Sequence, residues 1–167
     1  MTEDLPGSER LFYRPLHISD LPAIESILGD QETMALSLLA PLSALQILHR
    51  LQQIIQDCQF PVLGKLAVIE QDTGCLVGYC GIERSVLEGH SIYEFGVMLR
   101  KCYWGMGYGS EAAERVLNFQ YSHSALEKVF AIVDSRHFSS IRVLQKAGMK
   151  AVRNSSYGDR TVQIFML

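Results

Sequence analysis

The sequence predicts a mixed α/β domain in which about four helices pack on a mostly antiparallel sheet of six to seven strands. Three observations predict it. A length of 167 residues with 48% apolar and 20% charged residues suits one core, so residues 1–167 read as a single domain. Three β-prone runs in mid-chain are joined by connections too short for a parallel crossover, which makes them antiparallel neighbours. The second half then alternates helix and strand, and any parallel pairing must lie there.

Taken in order, residues 10–16 alternate in an extended manner and end in a turn. Ser19 and Asp20 are helix-capping types, and residues 21–28 follow with apolar positions at helical spacing. Between Pro41 and Pro61, Leu45, Leu48, Leu51, Ile54, Ile55 and Cys58 recur at three- and four-residue steps, which predicts a second helix over residues 43–58. Residues 66–70, 76–84 and 91–99 read as strands, separated by Asp72-Thr73-Gly74 and Leu87-Glu88-Gly89-His90. A Gly-rich turn opens an amphipathic helix at about residues 110–122, and the apolar run 128–133 is the next strand. A short helix over about residues 139–147 stops at Gly148, and residues 149–152 and 161–167 close the chain as strands.

Composition narrows the function classes. Fifteen Lys plus Arg against eighteen Asp plus Glu leave a net charge of -3, which argues against a nucleic acid or an acidic membrane as partner. Cys58, Cys75, Cys80 and Cys102 stand at no CxxC spacing, and His17, His49, His90 and His123 at no metal-ligand spacing, so no metal is expected. Residues 1–10 hold no secretory apolar region, and the uncharged stretch 33–49 is interrupted by Pro41 and too short to span a bilayer. A cytoplasmic protein with reduced thiols is the expectation.

The most informative segment runs from Arg100 to Ala113, with Gly105, Gly107 and Gly109 at alternate positions between a strand end and a helix start. Glycines there let a ligand approach the main chain, and the unpaired N–H groups of the helix start attract an anion. A phosphate-binding P-loop would need a Lys after the last glycine, and Gly109-Ser110-Glu111 has none. Gly107, Gly109 and Ala112 do satisfy the dinucleotide pattern G-x-G-x-x-A, with Asp134 at the end of the next strand, so an NAD-type nucleotide-binding half-domain is a minor alternative. Against it stand Glu94 in the preceding strand and the wide turn from Leu99 to Gly107.

Glu94-Phe95-Gly96, Tyr103-Trp104-Gly105, Gly107-Tyr108 and Glu111-Ala112 follow one another in a pattern that recurs among acyltransferases. The opening residues 10–16 with Asp20-Leu21, and Ser140 through Met149 with its Lys146-Ala147-Gly148, add two further matches. On these motifs the sequence resembles a GCN5-related N-acetyltransferase (GNAT), most of all the branch that acetylates N-termini of ribosomal proteins. The resemblance covers nearly the whole chain.

It implies an acyl-CoA N-acyltransferase fold whose sheet splays between strands 4 and 5, the runs ending at Leu99 and Val133. It implies acetyl-CoA as cosubstrate. Main-chain amides of Trp104, Gly105, Met106, Gly107, Tyr108 and Gly109, with Ser110, then hold the coenzyme pyrophosphate, and Val97, Met98 and Leu99 hold the pantetheine arm as an added strand is held. Trp104 stands where many members have Gln or Arg, and His137 replaces an Asn that commonly touches the coenzyme.

The implied reaction is direct attack of a neutral amine on the thioester in a ternary complex. An α-amino group is roughly a tenth neutral at pH 7 and a lysine-like amine far less, so a base is needed. Glu94, a carboxylate in an otherwise apolar strand, is the first candidate, with Glu83 in reserve. Leu144 occupies the position of the family's usual tyrosine acid, which leaves Ser140 or His137 to protonate the departing thiolate. Ser140 reads equally well as a helix N-cap. The acceptor is a primary amine, either a peptide N-terminus, a small amine or an amino-acid-like molecule. Walls from residues 34–48 and 157–160 are expected to bound it, in a monomer or homodimer. A non-catalytic acyl-CoA-binding module on the same fold is the alternative, favoured by the replacements at His137 and Leu144.

Overall fold

The computed structural model describes residues 5–167. Its strands are β1 (Leu11–Pro15), β2 (Gly64–Glu70), β3 (Leu76–Leu87), β4 (His90–Leu99), β5 (Phe130–Asp134), β6 (Lys150–Tyr157) and β7 (Arg160–Met166). They form one sheet in the order β1-β2-β3-β4-β5-β7-β6, antiparallel everywhere except between β4 and β5. The helices are α1 (Leu21–Leu28), α2 (Gln31–Met34), α3 (Ala44–Asp57), α4 (Tyr108–His123) and α5 (Phe138–Lys146). None of the described helices is long and apolar enough to cross a membrane.

Two apolar clusters cover the two faces of the sheet. Ile24, Ile27, Met34, Ile47, Leu51 and Ile54 from α1–α3 pack with Ala67, Ile69 and Tyr79 on one face. Ala112, Val116 and Leu117 of α4 and Leu144 of α5 pack with Val68, Cys80, Ile82 and Phe95 on the other. Burying residues of this size contributes about 1.5–3 kcal/mol each, which outweighs the weak intrinsic preferences of short helices. Strand β2 shows no alternation because it is covered on both faces.

Four local expectations change. Asp20 holds the N-cap position of α1 but makes no side-chain capping bond there; it lies with Ser19 in a 3-10 turn (Ile18–Asp20) capped by His17, and its carboxylate is held by Arg14 at 2.8 Å. The buried stripe of α3 is Ile47, Leu51 and Ile54, so Leu51 and Ile54 lie where the spacing puts them, while Ile47 is buried at the start of the helix and Leu45 is 63% exposed. Helix α2, a single turn capped by Asp30, is too short to carry a period. Strand β6 runs to Tyr157 rather than stopping near residue 152, because it is the sheet edge and buries neither face.

The pairing of β4 positions the site. Strand β4 pairs with β3 along its whole length, from His90↔Leu87 to Leu99↔Gly78. With β5 it shares a single pair, Glu94↔Phe130, while β5 pairs with β7 along its whole length, from Phe130↔Met166 to Asp134↔Val162. Beyond Glu94 the β5-facing edge of β4 therefore has no strand beside it, and the sheet opens as a V. On its other edge β4 approaches β3 closely: a Cβ at Gly78 would lie 2.1 Å from the Met98 carbonyl oxygen, which only glycine avoids.

Candidate active site

The V leads into a cleft of about 380 Å³ on the side of α4 and α5. Of the residues expected to hold the coenzyme, Val97, Met98, Leu99, Trp104, Gly105, Gly107, Gly109, Ser110 and His137 line it. The loop is built by glycine: φ is 75° at Gly105 and 83° at Gly107, both left-handed, and Gly107 is the N-cap of α4. Helix geometry then leaves the N–H groups of Tyr108, Gly109 and Ser110 without intrahelical acceptors. Trp104 ties the loop back to its strand, its indole Nε1 donating to the Leu99 carbonyl at 3.2 Å.

Met106 and Tyr108 do not line this cleft. The Met106 carbonyl accepts from Arg10 Nη1 at 2.8 Å, and the Arg10 guanidinium lies 4.2 Å from the Tyr108 ring centroid, whose hydroxyl donates to Glu70. Glu111 completes the brace, accepting from the Arg10 main-chain N–H, from Arg10 Nε and from Ser8 Oγ at 2.7–2.8 Å. The Tyr-Glu part of the motif thus holds the start of α4 against β1. Arg142 and Lys146 of α5 line the cleft and were not anticipated; their i, i+4 spacing puts two cations on the helix face opposite the glycine loop.

On the opposite side of the sheet lies a second cleft of about 210 Å³. Thr33, Val97, Met98, His137 and Ser140 line both clefts, so the two meet through the V. Residues 34, 36–39 and 42 wall the second cleft as expected, but residues 157–159 do not. Arg160 acts from outside, donating to the Ser37 carbonyl and standing 3.7 Å from Asp134.

Charges in this cleft are individually accounted for. Burial alone would raise the Glu83 carboxyl, but Lys65 and Arg50 outweigh it and hold it below the usual range. Arg50 Nη2 stands 2.6–2.7 Å from both Glu83 oxygens and Lys65 Nζ 3.5 Å from one. Glu83, the reserve base, is thereby occupied. Glu94 faces it across the ladder and lines the same cleft, and its carboxylate has no hydrogen bond or ion pair among the described residues. Burial pushes the His137 imidazole below its ordinary value, which favours the neutral ring, with Asp134 opposing.

Ser140 sits inside the first turn of α5, and the N-cap position belongs to His137, so Ser140 is not an N-cap. Leu144 is 5% exposed and packed in the core. Asp134, which the dinucleotide pattern would place on a ribose, is held by Arg136 Nη2 at 2.7 Å and Nε at 3.0 Å, which keep its carboxyl far below the usual range. With the mostly antiparallel strand order, this removes the nucleotide-binding half-domain.

Residues 10–150 match the family model described as the acetyltransferase (GNAT) domain. The chain belongs to the GNAT acetyltransferase family. This GNAT chain is 35% identical over 80 residues to the uncharacterized protein YkkB of Bacillus subtilis, a match spanning 48% of this chain and 46% of that one. It is 22% identical over 165 residues to an uncharacterized N-acetyltransferase, p20, of Bacillus licheniformis, covering 95% and 92% of the two chains. Its fold resembles that of a ribosomal alpha-N-protein acetyltransferase, RimL, solved in complex with coenzyme A. The TM-score there is 0.79 at 15% identity, with 99% and 97% of the two chains covered. The GNAT sheet accordingly has seven strands, parallel only at the β4/β5 split.

Proposed function

We propose that the chain transfers an acetyl group from acetyl-CoA to a primary amine where its two clefts meet. The observation that carries this is the set of five residues, Thr33, Val97, Met98, His137 and Ser140, that line both clefts at the open edge of β4. The coenzyme occupies the larger cleft. Its pyrophosphate lies on the N–H groups of residues 105–110, with Arg142 and Lys146 adding charge, and its pantetheine arm runs along the free edge of residues 97–99. The order of the Glu94-Phe95-Gly96 and Tyr103-Trp104-Gly105 motifs and the likeness to RimL support a place near the ribosomal-protein acetyltransferase branch. Branch membership does not fix the acceptor.

Glu94 takes a proton from the incoming ammonium, and the neutral nitrogen attacks the thioester carbonyl. The N–C bond forms as the oxygen gains negative charge, which main-chain N–H groups of residues 97–99 stabilise. Collapse breaks the C–S bond, and the second amine proton passes to the thiolate through the Ser140 hydroxyl or the His137 imidazole at the junction, which takes one proton as it gives one, while Glu94 returns its proton to solvent. No acetylated enzyme forms. Initial rates with both substrates varied are expected to give intersecting double-reciprocal lines, with acetylated amine and free coenzyme A produced one to one. Parallel lines with an acetyl group recovered on the protein would overturn direct transfer.

A further inference from the structure

The charge inventory of the acceptor cleft narrows what can enter it. Its described ionisable walls are Arg50, Lys65, Tyr79, Glu83, Glu94, Asp134 and His137. Both cations are spent: Arg50 on Glu83, and Lys65 on Glu83 and on the carbonyls of Gly81 at 2.9 Å and Gly96 at 3.3 Å. Asp134 is spent on Arg136 and Arg160. Glu94 is the one carboxylate of the cleft left without a partner among the described residues.

The rest of the wall is hydrocarbon. Leu28 and Met34 form its buried floor, and Leu36, Leu38, Leu39 and Leu42 of the α2–α3 connection leave apolar surface uncovered, Leu39 being 49% exposed. A volume of about 210 Å³ lies below the ~300 Å³ at which pockets for drug-sized ligands begin. The Arg160 guanidinium donates to the Ser37 carbonyl and so ties this connection to β7.

We infer that the acceptor is a compact primary amine with a single positive charge and a hydrocarbon body, carrying no carboxylate beside its nitrogen. This rests on the acetyl-transfer reading and adds the substrate class to it. The ammonium pairs with Glu94 and the body lies against the leucines. A carboxylate beside the nitrogen would meet Glu94 with no free cation to balance it, and a second ammonium would find no second free carboxylate. Burying either unpaired charge is costly.

The test compares 3-methylbutylamine with leucine, which differs from it only by the carboxylate, and with spermidine and a leucine-initiated hexapeptide, reading coenzyme A release. The expected kcat/KM for 3-methylbutylamine exceeds that for leucine by about 100-fold or more, as expected where a site leaves the wrong substrate's polar group unpaired. In Leu39→Arg, which supplies a free cation on the cleft rim, the preference should narrow toward leucine. Faster turnover of leucine, spermidine or the hexapeptide than of 3-methylbutylamine overturns the inference and leaves acetyl transfer standing. So does an unchanged preference in a folded Leu39→Arg protein. If acetyl-CoA fails to raise the melting temperature and none of the amines is turned over, acetyl transfer itself falls.

Discussion

Acetyl-CoA at about a hundred times its Kd should raise the melting temperature by about 5–10 °C, and Gly109→Val should abolish the rise. The expected size follows from mass action: ligand at that excess stabilises by about 2.7 kcal/mol, and a chain of this length gains about 2–4 °C per kcal/mol. The loss in the variant follows from where Gly109 stands. It is the second residue of α4 and lines the coenzyme cleft, and a Cβ there would already sit 3.3 Å from Leu99 Cδ1 and 3.5 Å from Val143 Cγ2. The two methyl groups of valine have nowhere to go except into those neighbours or into the space above the helix N-terminus. Because φ at Gly109 lies outside the left-handed region, valine can be built without backbone strain, and the variant should fold. A full shift in Gly109→Val would mean that the pyrophosphate binds elsewhere.

Glu94→Gln has the next largest expected effect. It should lower kcat by about 100-fold or more, the range over which a positioned base accelerates proton transfer, while leaving the acetyl-CoA shift intact. The separation is structural, since Glu94 lines the acceptor cleft and not the coenzyme cleft. Glutamine keeps the shape and loses the charge, so an ammonium acceptor must shed its proton to water first. The residual rate should then climb with pH as the free amine fraction rises, about tenfold per unit below the amine's own pKa. A variant with wild-type kcat would remove Glu94 as the base.

How much of this could be read from residues alone depends on the range of the interaction involved. Helix α1 begins and ends where its apolar spacing says, and the β3–β4 hairpin follows from its two runs and short connection. These are local signals. In α3 the three- and four-residue steps allow two overlapping stripes, and packing on α1 and β2 selects Ile47, Leu51 and Ile54, so Leu45 is left outside. The glycine loop was legible because left-handed φ at Gly105 and Gly107 demands that residue type. The choice between Glu94 and Glu83 was not decided by the strand pattern, since both are carboxylates in β-prone runs. It turns on Arg50, 33 residues upstream of Glu83, and on Lys65 from a third strand. Arg142 and Lys146 carry no local signal for the same reason: only the packing of α5 beside the loop makes them part of the cleft.

One continuous passage through the split sheet joins the two clefts in this reading, and a bisubstrate conjugate tests it most directly. Coenzyme A linked through its sulfur and an acetyl spacer to 3-methylbutylamine places both halves in one molecule. If the passage is continuous, this conjugate inhibits competitively against acetyl-CoA and against the amine, and binds more tightly than coenzyme A alone. Competition with acetyl-CoA only, at an affinity no better than that of coenzyme A, would contradict it.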